Sequence, residues 1–134
     1  YDSALTRVSL RNLTVKGGNA GLHLDRCPVG VSYGIQGCVF TGAATDGVKT
    51  DYAQAPVFTD CVFTNNAQNG ILFCETPNLS ILRCVLAYNG HNGIASKENG
   101  WGQSIQSTGM HASYCYIASN TRAGVRYDGF NPNG

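Results

Sequence analysis

The sequence predicts an all-β solenoid of about five coils, and three observations carry that expectation. Cys38, Cys61 and Cys84 recur every 23 residues, and Cys115 follows after 31. Ten positions beyond each cysteine stands an aliphatic residue preceded by glycine: Gly47-Val48, Gly70-Ile71, Gly93-Ile94 and Gly124-Val125. No stretch keeps apolar residues at helical spacing over three turns, whereas Val, Ile, Phe and Tyr come in short bursts among 17 Gly and 4 Pro. A coil of roughly 23 residues is too short for a helix pair and matches about three short strands joined by bends.

The elements of a coil follow in order. Phe40, Phe63, Leu86 and Ile117 lie two residues after the cysteines, so cysteine and large apolar residue share one side of a strand, the interior. In the first coil Asn12 is expected in the cysteine slot, with Gly21-Leu22 as the glycine-aliphatic step. The pairs Asn65-Asn66, Tyr88-Asn89 and Ser119-Asn120 come next. They fit a bend, where Asn tolerates left-handed geometry and stacked Asn side chains bond along the solenoid axis. The glycine-aliphatic step then opens another strand. Its aliphatic residue points inward, so the residues one and three further on point out: His23 and Asp25, Lys49 and Asp51, Leu72 and Cys74, Ala95 and Lys97, Arg126 and Asp128. The extra length of the last coil falls between Ile94 and Cys115, a loop that carries Trp101, the one tryptophan.

Bulk properties exclude little beyond extremes. A net charge of +1 leaves no electrostatic footprint for nucleic acid, and no apolar run nears the roughly 18 residues of a membrane span, so no membrane insertion is predicted. Residues 1–134 read as a single domain. The chain opens mid-pattern at YDSALTRV and stops at FNPNG, as a segment of a longer protein would. Its end coils expose strand edges, for which flanking coils or an end-on partner are expected. The six cysteines include no CxxC pair. Side-by-side inward thiols about 4.8 Å apart favour a packed stack over disulfides, whose dihedral near 90° suits parallel in-register Cβ vectors poorly. Cys27 and Cys74 fall on other slots.

The outward positions of the glycine-aliphatic strand give the candidate site. His23 and Asp25 beside Lys49 and Asp51 make one patch two coils deep. There Lys49 would bind a sugar carboxylate, His23 or Lys49 would take a proton from a sugar carbon, and Asp25 with Asp51 would hold Ca²⁺. Arg126 completes the predicted catalytic set on the same strand face, with Asp128 as a further substrate contact. Trp101, flanked by glycines, offers a stacking platform with Lys97 and Glu98 at its base. The alternative is a surface of alternating charges that pair across coils and keep the sheet soluble. His91 reads as a bend residue, and His111 has no context. An ice-binding face would need outward Thr on every coil, and Thr41, Thr59 and Thr64 do not persist.

From about Leu10 to Tyr127 the pattern resembles the right-handed parallel β-helix of the pectate-lyase-like superfamily, with its N-G-I steps, Asn ladder and interior stacks. The resemblance implies the right-handed twist. It also implies a function among the lyases, hydrolases, epimerases and adhesins that share the coil, hence an acidic polysaccharide partner at an extracellular or cell-surface location. As an enzyme, the chain would be a polysaccharide lyase or C5-epimerase. Thr45-Asp46-Gly47 looks like part of the N-T-D-G stretch of polygalacturonases, but the paired-Asp, G-H-G and R-I-K segments are absent. Tyr127-Asp128-Gly129-Phe130-Asn131-Pro132-Asn133 is similar to the Y-G-F-D-P-H segment of mannuronan C5-epimerases. Asn131 and Asn133 stand where that family has its catalytic Asp and His, which implies an inactive copy at that site or ordinary loop chemistry. A non-catalytic structural or adhesive solenoid remains the competing expectation.

Overall fold

The computed structural model describes residues 7–27, 30–97 and 109–126. Among the described residues fifteen strands, numbered along the chain, form three parallel sheets of five strands each. The first sheet stacks β1 (Arg7–Arg11), β4 (Ser32–Gln36), β7 (Val57–Thr59), β10 (Ser80–Leu82) and β13 (His111–Ser113). The second stacks β2 (Thr14–Lys16), β5 (Val39–Thr41), β8 (Val62–Thr64), β11 (Val85–Ala87) and β14 (Tyr116–Ala118). The third, built on the glycine-aliphatic steps, stacks β3 (Leu22–Asp25), β6 (Val48–Asp51), β9 (Ile71–Cys74), β12 (Asn92–Ser96) and β15 (Ala123–Arg126). Each coil supplies one strand to each sheet, giving five rungs of a parallel β-solenoid. Among the described residues no helix is long and apolar enough to cross a membrane.

Identical registers run the length of the stack and put like residues over like. Leu22, Val48, Ile71, Ile94 and Val125 pair in succession on the third sheet. Val15, Phe40, Phe63, Leu86 and Ile117 do so on the second. Their side chains meet those of the first sheet in a core where Phe40, Phe58 and Phe63 are wholly buried. Phe40 and Phe63 stack with centroids 5.4 Å apart, and Phe58 meets Phe63 edge-on at 5.7 Å. The recurrent glycine has a steric cause. A Cβ on Gly47 would lie 2.7 Å from the Gly70 carbonyl oxygen, and one on Gly70 would lie 2.6 Å from that of Gly93.

The cysteine column packs as the sequence suggests, with one correction. All six cysteines are free, and Cys38, Cys61 and Cys84 are buried. The Cys61 thiol donates to the Thr59 carbonyl at 3.3 Å and that of Cys84 to Leu82 at 3.3 Å, so the weak donors are used. In the first coil, however, Thr14 pairs with Val39, which places Leu13 and not Asn12 in the cysteine slot. Because Leu22 pairs with Val48, the bend between β2 and β3 is one residue shorter than its successor, and a fixed ten-residue count misplaces the slot. Asn12 belongs instead to the corner column that runs through Gly37, Asp60, Arg83 and Tyr114, all at positive φ.

The expected amide ladder is present at the second corner. Asn66 Nδ2 donates to Asn89 Oδ1 at 3.0 Å, and Asn89 Nδ2 donates to Asn120 Oδ1 at 2.9 Å. Their neighbours Asn65, Tyr88 and Ser119 take the left-handed conformation. A second ladder stands beside the glycine column: Asn92 Nδ2 donates to Asn69 Oδ1 and Asn69 Nδ2 to Asp46 Oδ1, each at 2.8 Å. Asp46 closes it as an acceptor.

Candidate functional site

The third sheet presents its outward side chains in two lines, one beginning at His23 and the other at Asp25. Register sets His23 beside Lys49, Asp25 beside Asp51, and Asp51 beside Cys74. The cluster closes on Asp51. Its Oδ2 lies 2.7 Å from His23 Nε2 and 2.9 Å from Lys49 Nζ. Asp25, more exposed, faces Arg26 at 3.9 Å.

Strand alternation led the sequence reading to expect Asp51 and Cys74 as open surface residues, and burial corrects this. Asp51 keeps 7% of its surface and Cys74 1%. An outward strand position guarantees only which side of the sheet a residue occupies; neighbouring groups decide whether water reaches it. Burial pushes the Asp51 carboxyl up, but hydrogen bonds from Lys49, His23 and the Cys74 thiol together outweigh it and hold the group below the usual range. The bond to Asp51 raises Lys49 above an ordinary lysine, against the opposing effect of burial. Burial, reinforced by the Asp51 charge, pushes the Cys74 thiol up to about 12, so it is no nucleophile at neutral pH.

These shifts assign chemistry. An ionised Asp51 only accepts hydrogen bonds, so His23 Nε2 carries the proton shared with it, and a neutral His23 keeps its lone pair on Nδ1. Lys49 stays an ammonium and is the wrong partner for base chemistry. The pH dependence follows. A depressed folded pKa adds stability above the unfolded value, near 4, that is lost as pH falls through the folded one. Asp51→Asn will therefore show a flatter acid limb below about pH 4 than the parent in denaturant midpoints measured against pH. Parallel acid limbs would remove Asp51 as the titrating group.

The remaining predicted residues divide. Lys97 is exposed at the end of β12, two rungs from Lys49, and Arg126 is exposed on β15, three rungs away. At about 4.8 Å per rung, Arg126 lies roughly 14 Å from Lys49 and roughly 19 Å from His23, so the three predicted catalytic residues do not share one reaction centre. Between them Leu72, Cys74 and Ala95 make an uncharged stretch, as the strand pattern suggested. Glu98, Trp101 and Asp128 lie outside the described residues.

His23, Asp25 and Asp51 each offer a ligand atom, all within 4.8 Å of one another. They do not fit the predicted Ca²⁺, which takes about 6–8 oxygen ligands. Two carboxylates and an imidazole fall short of that, and Lys49 already occupies Asp51 Oδ2. Sequence reasoning missed two parts of this region. Cys74 reaches Asp51, and Thr50 and Thr76 share a buried hydroxyl bond of 2.9 Å beneath the cluster. Glu75 is buried at positive φ with Oε2 lacking a hydrogen-bond partner. The register of Asp51 over Cys74 was the only available signal, and a thiol in a line of charges did not stand out as a partner.

Fold and sequence together define the class. A family model described as a right-handed β-helix region matches residues 2–133. The chain belongs to the right-handed β-helix family. No curated protein matches it. Among solved structures it is similar to the periplasmic alginate epimerase AlgG, at 15% identity and a TM-score of 0.58, over 90% of this chain and 34% of that one. A double mutant of the same epimerase aligns at 12% identity and a TM-score of 0.45, over 92% of this chain and 44% of that one. The chain thus spans about a third of the first structure's length, and the likeness shows a shared fold.

Proposed function

We propose that the third-sheet face binds an acidic polysaccharide, as part of a periplasmic, extracellular or cell-surface protein. The observation that supports it is the His23–Asp51–Lys49 cluster at 2.7 and 2.9 Å on an outward β-helix face. Lys49, a fixed ammonium with 36% of its side chain exposed, meets a uronate carboxylate. His23, oriented by Asp51 and 44% exposed, is the group able to take a proton from the carbon beside that carboxylate, as a lyase or epimerase requires. Lys97 and Arg126, further along the same face, contact carboxylates of other sugar units instead of the reacting one. The similarity in fold to an alginate epimerase supports this substrate class.

A second reading has its own observation. Lys49 and Asp51 neutralise each other, as a non-catalytic structural or adhesive solenoid would arrange its surface. Retention of polyuronates on a glycan array, followed by ultraviolet absorbance for unsaturated product, separates the two. Binding requires that Lys49→Ala weaken retention about tenfold, since a charge-assisted bond contributes roughly 1.5–3 kcal/mol. Lyase chemistry further requires that His23→Gln bind but form no product. Equal retention by parent and Lys49→Ala would leave the structural reading.

A further inference from the structure

An open depression of about 310 Å³ lies on the outer face of the first sheet, away from the cluster described above. Its lining includes Arg7, Ser9 and Arg11 of β1, Ser32 and Gly34 of β4, and Thr59 of β7. The sequence builds it by alternation. Val8 and Leu10 turn inward to the core, which sends Arg7, Ser9 and Arg11 outward. Register then sets Arg7 beside Ser32 and Ser9 beside Gly34. Gly34 is an open floor, for a Cβ there would meet nothing within 4 Å.

The described residues that line this depression carry charge of one sign, that of Arg7 and Arg11. Among the described residues no acidic one lines it. Among the described residues the side chains of Arg7 and Arg11 have no ion-pair or hydrogen-bond partner. Asp60, which follows Thr59, is already held by Arg83 through two bonds of 2.7 and 3.0 Å. Four residues apart on one strand, the two arginines flank the floor at about 13 Å. Their planar forks match carboxylate or sulfate oxygens two at a time. Hydroxyls of Ser9, Ser32 and Thr59 both donate and accept, as sugar hydroxyls demand.

We infer that this depression is a second binding site, one that takes an oxyanion-bearing saccharide, carboxylated or sulfated, between Arg7 and Arg11. The inference extends the acidic-glycan reading to a different sheet and stands on different residues. The ¹⁵N-labelled chain is titrated with an oligouronate, a sulfated oligosaccharide of equal length, its neutral counterpart and inorganic phosphate. Amide shifts are expected at Ser9, Gly34 and Thr59 with either anionic saccharide and not with the neutral one. The Arg7→Ala/Arg11→Ala double variant should bind there at least about tenfold more weakly. Gly34→Leu should fill the floor and block the shifts while the rest of the spectrum stays folded. Unchanged shifts in the double variant, equal shifts with the neutral saccharide, or shifts with phosphate alone would overturn the inference. Shifts at Lys49 and Thr50 report the other face in the same titration. If the first sheet responds and those two do not, the third-sheet reading fails and this one stands; the reverse pattern sinks this site alone.

Discussion

Replacing Phe63 by alanine will destabilise the solenoid by about 4 kcal/mol, the cost of an aromatic-to-alanine cavity in a core that cannot collapse. Phe63 is fully buried on the middle rung, stacked on Phe40 and met edge-on by Phe58. Hydrogen-bonded strands on both sides hold their register, Phe40 before and Leu86 after, so the backbone cannot close the void. Denaturant unfolding measures it: the midpoint falls while the slope stays constant if the native state keeps its compactness. Phe63→Leu should cost about 1.5 kcal/mol or less, because most of the volume stays filled. A loss below about 1 kcal/mol for the alanine variant would mean that the rung can repack.

The second large effect is expected at Asn89, where alanine will cost roughly 3 kcal/mol. Asn89 keeps 1% of its surface and uses both ends of its amide. Its Oδ1 accepts from Asn66 N and Asn66 Nδ2 at 3.2 and 3.0 Å, and its Nδ2 donates to the Phe63 carbonyl and Asn120 Oδ1 at 3.1 and 2.9 Å. Alanine takes the acceptor from the buried Asn66 N–H and from one Asn66 Nδ2 hydrogen, and the side-chain donor from the Phe63 carbonyl, and an unmade buried bond costs more than a made one gains. Asn89→Asp should be no milder, since it keeps the acceptor and loses the donor. Asp46 tolerates a carboxylate because it ends its ladder, with Ala20 in the preceding coil offering nothing to donate to. If Asn89→Asp matched the parent in thermal unfolding, the ladder would be dispensable.

Sequence and structure part company at definable places. The cysteines, glycines and core aromatics announced the coil because each has one steric solution per rung, and from the second coil on a thiol repeats in its slot as a glycine does against a carbonyl. The Asn66–Asn89–Asn120 ladder was visible for the same reason. The Asp46–Asn69–Asn92 ladder was not. It runs Ala20, Asp46, Asn69, Asn92, Ala123, so Asn repeats on two rungs only and three residue types share the column. The first-coil slot slipped because a bend one residue shorter leaves composition untouched and breaks a count carried back across it from Leu22. At the site, the pairing of His23, Lys49 and Asp51 followed from register alone, but Asp51 burial and the distance to Arg126 depend on three-dimensional neighbours that strand alternation does not encode.

The constant register between successive rungs has a kinetic meaning. Each strand in the interior of the stack pairs only with the coil before and the coil after, at a separation of 23 residues through the middle of the chain. Loop closure over that span costs the same at every step, so the search does not lengthen as the protein grows. Folding then resembles a zipper that can start at any coil, with a free energy close to a sum over adjacent pairs. Damage in the middle coil would divide such a chain into two shorter zippers, whereas the same lesion in a terminal coil would only fray it.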